Sequence, residues 1–311
     1  MEHILNLLTL TADECAAFER AAQGHEQRFI SGGRKEDGSP VTAEDCRWAT
    51  AILGNPPPEA LSGCQSLRWL QTRSAGTDQY QRPGVLPKGA RLTSASGAYG
   101  HSVSEHMLAM LLSAMKRLPG YQALQREGRW TDLGQVKSLA GAQVLCVGTG
   151  DLGSSFARLC KALGAHTIGI RRDVSKAAEG IDKMYAIAEL DQLLPQADVV
   201  ALNLPHADDT VRLIDRRRML LMKKDAILLN AGRGSTVDCE ALAQVLKEGH
   251  LWAACLDVTD PEPLPTGHPL WQQGRAMITP HAAGGNHLPD TAGRIAAISL
   301  KNLKKFLAGQ L

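Results

Sequence analysis

Aromatic residues are scarce: Phe, Trp and Tyr together make up 4% of the 311 residues. Few rings are therefore available to stack on bases or sugars. Neither sign of charge dominates. Thirty-four Lys and Arg against 32 Asp and Glu leave a net charge of +2, without the strongly basic face that nucleic acid requires. No nucleic-acid partner is expected. Long apolar runs are missing too. The longest near the middle, Met107 to Met115, is about half of the ~20 residues that a membrane helix needs, so no membrane partner is expected. The start of the chain, Met1 to Leu8, lacks the basic segment and long apolar run of a secretory signal. The seven cysteines are Cys15, Cys46, Cys64, Cys146, Cys160, Cys239 and Cys255, an odd number, and no two are spaced C-x-x-C. A zinc ribbon or redox motif is thereby disfavoured, and no metal is expected. Reduced, mostly buried thiols in a cytoplasmic protein are the expectation.

What is present is an apolar fraction of 44% beside 21% charged residues. That is enough to bury real cores, and it excludes a disordered chain. At ~150 residues per domain, the length suggests about two domains. No short solenoid repeat is visible.

The first ~100 residues alternate between strand and helix patterns, as a parallel α/β sheet of modest size would. Strands are predicted at His3–Leu8, Gln27–Ile30, Ala49–Leu53, Leu67–Thr72 and Arg91–Ser94. Thr11 and Asp13 can cap a helix that runs towards Ala22. Two helices follow, His101–Met115 and Tyr121–Glu127. A sharper series then begins. Strands at Val144–Val147, His166–Ile170, Asp198–Leu204, Ala226–Asn230, Ala253–Val258 and Ala276–Thr279 alternate with helices at Leu152–Leu163, Ile187–Leu194, Asp215–Met222 and Cys239–Lys247, the last capped by Asp238. This spacing indicates a doubly wound parallel sheet. Asp290–Leu307 forms a final amphipathic helix.

Gly148-Thr149-Gly150-Asp151-Leu152-Gly153 matches G-x-G-x-x-G between a strand and a helix, the context that this motif requires for dinucleotide binding. Gly148 makes the tight turn, Gly150 lets a pyrophosphate approach, and Gly153 lets helix and strand pack closely. The phosphates then rest on the positive end of the helix. At the end of the next strand, where an acid binds the ribose 2′-hydroxyl of NAD, this chain has Arg171 and Arg172, with an acid only at Asp173. Arginine there suits a 2′-phosphate. NADP(H) is thus favoured over NAD(H), which stays open with Asp173 as the ribose partner.

Three later strand ends carry ionisable groups on Gly- or Pro-shaped loops: Asn230–Gly234, Leu256–Pro263 and Thr279–Gly284. Ligands of such sheets bind beyond the carboxyl ends of the strands. Arg233, Glu262 and His281 placed there suggest hydride transfer at a carbinol carbon. His281, with an ordinary pKa of ~6.5, would move the hydroxyl proton. Glu262 would hold its ring and favour the imidazolium. Arg233 would fork onto a substrate carboxylate or the reacting carbonyl.

With these residues in place, the chain resembles the D-isomer-specific 2-hydroxyacid dehydrogenases. The resemblance rests on SAGTD at 74–78, GTGDLG at 148–153, LNLPHADDT at 202–210, LLNAGRGSTVD at 228–238, LDVTDPEPLP at 256–265 and TPHAAGG at 279–285. It implies an α/β protein of two doubly wound parallel-sheet domains, with a Rossmann cofactor domain (98–285) inserted into a smaller flavodoxin-like substrate domain (1–97 plus 286–311). Crossings near Ala98 and Gly285 would form a hinge over the cofactor. It also implies that Arg233, Glu262 and His281 are catalytic and that backbone N–H groups of Ala75 and Gly76 bind the substrate carboxylate. Asp257 would contact the nicotinamide amide, and Leu204, Pro205, Thr210 and Ala231 would line the cofactor. Relatives are usually homodimers joined through the cofactor domain, with the helix from His101 as the expected contact.

Glu262 stands where formate dehydrogenases of this superfamily carry Gln, so formate is disfavoured as substrate. No counterpart of the regulatory tail of some phosphoglycerate dehydrogenases is expected after the last helix. His206 occupies a position that is small or apolar in many relatives; it either contacts a 2′-phosphate or is simply exposed, and the exposed reading is the expectation. The expected partner is a small 2-oxoacid or 2-hydroxyacid, with the pocket wall drawn from the first domain and from near Tyr99 and His101. A second reading on the same fold is a dinucleotide-sensing regulatory protein. The complete catalytic set and the lack of Pro-rich or charged tails argue against it.

Overall fold

A computed structural model describes residues 1–285 and 288–311. The chain divides into two compact units. One consists of Met1–Tyr99 and the C-terminal segment, whose described part begins at Leu288. The other is Gly100–Gly285. The return point predicted at 286 lies outside the described residues.

In the first unit, β1 (His3–Asn6), β2 (Glu26–Phe29), β3 (Ala51–Leu53), β4 (Trp69–Gln71) and β5 (Arg91–Thr93) form one sheet in the order β2-β1-β3-β4-β5. All four pairings are parallel. This is the flavodoxin-like strand order. The inner strands β3 and β4 are buried throughout, as parallel strands covered on both faces should be. The edge strand β2 has the polar sequence EQRF and is largely exposed. Helix α1 (Ala12–Ala21) starts at a capping box between Thr11 and Glu14; the Thr11 hydroxyl is the cap, and Asp13 only adds charge to the first turn. Helix α2 (Ala43–Arg47) was not predicted: five residues are too few to show a 3.6-residue period.

The core of this unit gathers Leu5, Leu7, Ile52, Leu67, Leu70 and Tyr80. The Tyr80 hydroxyl donates to Pro56 O at 2.8 Å, and burial pushes its pKa up to about 12. The last helix of the chain, Pro289–Leu307, packs on this sheet. Phe306 stacks on Trp69 with ring centres 4.9 Å apart, and Asn302 Nδ2 donates to the buried Gln71 Oε1 at 2.8 Å.

The second unit opens with α3 (Gly100–Met115) and α4 (Leu118–Arg126). Its sheet contains β6 (Gln143–Val147), β7 (His166–Ile170), β8 (Lys183–Tyr185), β9 (Val199–Leu202), β10 (Ile227–Asn230), β11 (Ala253–Leu256) and β12 (Ala276–Ile278), in the order β12-β11-β10-β9-β6-β7-β8 and parallel throughout. Its helices are α5 (Asp151–Ala162), α6 (Leu190–Leu193), α7 (Arg216–Leu221) and α8 (Cys239–Lys247); the C-terminal helix is therefore α9. Asp238 caps α8 as expected, its carboxylate accepting from Ala241 N. The stretch predicted as one helix at 187–194 is broken into α6 with a short 3-10 turn on each side, and Pro195 lies in the second turn. Strand β8, with its three half-exposed or exposed residues, carried no readable pattern.

Strand order reverses between β6 and β9, the topological switch point beside which dinucleotides bind in such sheets. Fully buried runs in β9, β10 and β11 fix the carboxyl ends of these strands in register.

Candidate active site

The glycine loop leaves β6 at the switch point. Gly148 has φ +93, and a Cβ there would lie 2.7 Å from Asn203 O. At Gly153 a Cβ would lie 1.9 Å from Gly148 O, so only glycine lets the first turn of α5 sit against the strand end. A Cβ at Gly150 would instead meet no protein atom within 4 Å. The loop is packed from beneath and open at its middle glycine. No side chain caps α5, so its first N–H groups are available to an anion. The Asp151 carboxylate faces the other way and accepts from Gly100 N at 2.8 Å, holding the start of α3. Leu152 is half-buried. This arrangement fits a dinucleotide pyrophosphate.

Asn203, one residue beyond β9, has both amide atoms buried with no partner among the described residues. It adjoins Gly148 and Gly153. It stands within the 202–210 motif, but its place under the glycine loop appears only once β9 is set beside β6.

The two arginines after β7 differ. Arg171 Nη1 donates to Lys176 O at 2.9 Å and Ala177 O at 3.4 Å, which closes the 171–177 loop. Arg172 is exposed. Asp173 accepts from Ser175 Oγ at 2.6 Å and pairs with Lys176 at 3.4 Å; the Ser175 bonds foremost hold its pKa below the usual carboxylate value.

Leu204 is half-buried and Pro205 exposed. Thr210 is buried, and its hydroxyl lies 2.8 Å from Ala207 O and 3.1 Å from Pro205 O, so it shapes the turn that presents them. His206 is exposed, with Nδ1 3.0 Å from Ser235 Oγ. Ala231 N donates to Leu202 O, tying the start of the Arg233 loop to the end of β9.

Neighbouring strands β10, β11 and β12 bring the three ionisable loops to one edge of the sheet. Asn230, 1% exposed, accepts from Gly232 N at 3.1 Å and donates to Arg233 O at 2.9 Å. That clamp fixes the backbone around Arg233, whose Nη1 donates to Gly232 O at 2.8 Å. A Cβ on Gly234 would lie 1.8 Å from Thr259 O, so the Arg233 loop lies directly against the loop after β11.

His281 Nδ1 lies 2.7 Å from Glu262 Oε1, and both side chains are nearly half exposed. The carboxylate faces Nδ1, so Nε2 is the nitrogen presented outward. His281 has φ +51, a left-handed backbone that a non-glycine residue adopts only under constraint. The constraint comes from Asp257, which is 3% exposed. Asp257 O accepts from His281 N at 2.7 Å. Asp257 Oδ1 accepts from Thr279 Oγ1 at 2.6 Å and from Ala282 N at 2.9 Å, and Ala283 N reaches Oδ2 at 3.2 Å. Asp257 thus acts here as the anchor of the His281 turn.

In the first unit, the loop after β4 is shaped by Asn55, whose Oδ1 accepts from Arg73 N at 2.8 Å, and by Ser74, whose Oγ donates to Gly76 O at 2.6 Å. Ala75 is exposed and Gly76 half-buried, and neither N–H makes a hydrogen bond among the described residues. Among those residues, no cluster of His, Cys, Asp or Glu could hold a metal ion, and no helix is long and apolar enough to cross a membrane.

Comparison with known proteins agrees with this architecture. The family model described as "D-isomer specific 2-hydroxyacid dehydrogenase, NAD binding domain" matches residues 108–283. A glyoxylate reductase of Korarchaeum cryptofilum is 29% identical over 277 residues, covering 86% of this chain and 82% of that protein. A crystal structure of a D-isomer specific 2-hydroxyacid dehydrogenase family protein from Aeromonas salmonicida superposes with a TM-score of 0.84 at 29% identity, covering 100% of this chain and 97% of that one. A second, from Xanthobacter autotrophicus in complex with NADPH and MES, gives 0.79 at 27% identity, covering 100% and 96%. The match over more than half of the chain, on this fold, establishes that the protein belongs to the D-isomer-specific 2-hydroxyacid dehydrogenase family.

Proposed function

We propose that the protein reduces a 2-oxoacid to a D-2-hydroxyacid, or runs the reverse, with a nicotinamide cofactor. The observation that carries this reading is the 2.7 Å His281–Glu262 pair, set at the same sheet edge as the Gly148–Gly153 loop. The loop and the N-terminus of α5 hold the pyrophosphate; Leu204, Pro205 and Ala231 line the cofactor. When bound, the nicotinamide supplies or accepts the hydride. His281 Nε2 gives a proton to the 2-oxygen in reduction and takes it in oxidation. Glu262 holds the ring through Nδ1 and stabilises the imidazolium. Arg233 binds the substrate carboxylate or the reacting carbonyl with its fork of donors. Backbone N–H groups of Ala75 and Gly76 donate to the carboxylate, which makes the first unit the substrate domain and the second the cofactor domain.

NADP(H) is the favoured cofactor. The cationic end of β7 supports it. The protein is further proposed to be a cytoplasmic homodimer. Seven unpaired cysteines suit a reducing compartment. The exposed apolar side chains Leu118 and Trp130, close after α3 in the chain, suit burial by a second copy.

Initial rates on a panel of 2-oxoacids (glyoxylate, hydroxypyruvate, pyruvate and bulkier ones) with NADH and NADPH test the function. Turnover is expected on at least one pair, and His281→Ala should cut it by about 10²–10⁴-fold while leaving dinucleotide affinity unchanged. Dinucleotide binding without turnover on any substrate would overturn the reading and favour a regulatory protein on this fold.

A further inference from the structure

We infer that His106, on α3, is a positioning residue that sets the geometry of His281 through Thr279 and Asp257. The inference rests on the reading of His281 as the proton carrier. The left-handed turn at His281 hangs on the buried Asp257, and Asp257 Oδ1 takes its shortest hydrogen bond from the Thr279 hydroxyl, at 2.6 Å. That hydroxyl has one proton, and it goes to the carboxylate. Of the other neighbours of Thr279 Oγ1, Met110 Sδ stands off at 3.9 Å and carries no proton, whereas His106 Nε2 lies at 3.0 Å and is the group that can donate to it. The same Nε2 stands 3.7 Å from Asp257 Oδ1, on an imidazole whose side chain is only 27% exposed.

A buried carboxylate needs its hydrogen-bond donors held in place, and His106 holds one of them, the Thr279 hydroxyl. One turn earlier on α3, Ser102 Oγ donates to Ala283 O at 2.8 Å. Helix α3 therefore holds the 279–283 segment at two points, spaced i and i+4 on one face. Ser102 and His106 form a polar pair on this face of a largely apolar helix.

The expected consequence is a loss of orientation and not of binding. Misplacing a catalytic group by ~1 Å costs about 10²-fold in rate. His106→Ala and Thr279→Val should lower kcat by about 10- to 100-fold, with the KM for the 2-oxoacid and the affinity for NADH or NADPH unchanged. His106→Gln keeps a donor and Thr279→Ser keeps the hydroxyl; both should recover most of kcat. Amide hydrogen exchange in the intact protein gives a readout independent of turnover: His106→Ala should speed exchange at His281, Ala282 and Ala283, and His106→Gln should restore it. If His106→Ala does not fold, the Thr279→Val and Thr279→Ser pair carries the same test.

Unchanged exchange at these amides, wild-type kcat in His106→Ala or Thr279→Val, or equal damage from Ala and Gln at 106 would overturn the inference. A wild-type protein without turnover would sink the proton-carrier reading instead, and the exchange result would still decide the positioning role.

Discussion

Replacing either of two glycines in the same loop by alanine should weaken dinucleotide binding, but only one of the two changes should carry a large cost in stability. At Gly153 the added Cβ would stand 1.9 Å from Gly148 O, where separations under 3.0 Å are essentially never found. The start of α5 and the end of β6 must then part by roughly 1 Å, and the blocking atom is backbone, which cannot rotate away. Overpacking of this kind costs about 1–3 kcal/mol. The same shift withdraws the α5 N–H groups from a phosphate, so dinucleotide affinity should fall at least about tenfold, equivalent to ~1.4 kcal/mol. At Gly150 the added Cβ would meet no protein atom within 4 Å, and the backbone there, φ −76, suits alanine. Stability should drop by less than about 1 kcal/mol, the usual loss for alanine in place of glycine at an N-cap. The methyl group would nevertheless stand where the pyrophosphate must approach, so Gly150→Ala should also bind at least about tenfold more weakly. Urea unfolding and fluorescence titration with NADH and NADPH measure the two quantities separately. Wild-type affinity in Gly150→Ala, or wild-type stability in Gly153→Ala, would refute the argument.

Two further outcomes follow from the surface of the cofactor unit. Arg172→Ala should weaken NADPH far more than NADH, whereas Arg171→Ala, by opening the 171–177 loop that its guanidinium closes, should weaken both; equal losses from Arg172→Ala would remove its role as reader of a 2′-phosphate. Asp182, held at about 2 first by its Lys161 hydrogen bond and then by Thr167, stabilises the fold above its unfolded pKa, and that stabilisation is lost as pH falls from about 4 through 2. With a partly exposed pair, screening reduces this to about 1 kcal/mol, so Asp182→Asn should unfold about that much more easily at pH 7 and no more easily near pH 2 in acid-dependent urea melts.

Much of the cofactor unit is legible in the sequence. The reason is that its signals are local. Val144–Val147, the glycine loop and Leu152–Leu163 are contiguous, and buried parallel strands appear as unbroken apolar runs. The strand-end loops holding Arg233, Glu262 and His281 could be aligned by counting strands. Elements without local signals escaped: α2 is too short to show a period, and β8 is a three-residue strand with no apolar run.

The residues by themselves determined a doubly wound chain with a dinucleotide loop and three ionisable strand ends. Tertiary structure alone decided which partners those groups take. Arg171 and Arg172 are adjacent and alike in chemistry, yet one closes a loop and the other faces solvent, because only Arg171 points at the carbonyls of Lys176 and Ala177. Gln71 meets Asn302 across 231 positions, and His106 meets Thr279 across 173. Such pairings arise from how helices settle on sheets after apolar surfaces are buried, and no spacing along the chain encodes them. The scarcity of aromatic residues fits this division: the cores are mostly aliphatic around a few buried rings such as Trp69, Tyr80, Phe18 and Phe156, and specificity rests on a few buried polar side chains, Asn6, Gln71, Asn230 and Asp257 among them, whose hydrogen bonds leave few other arrangements open.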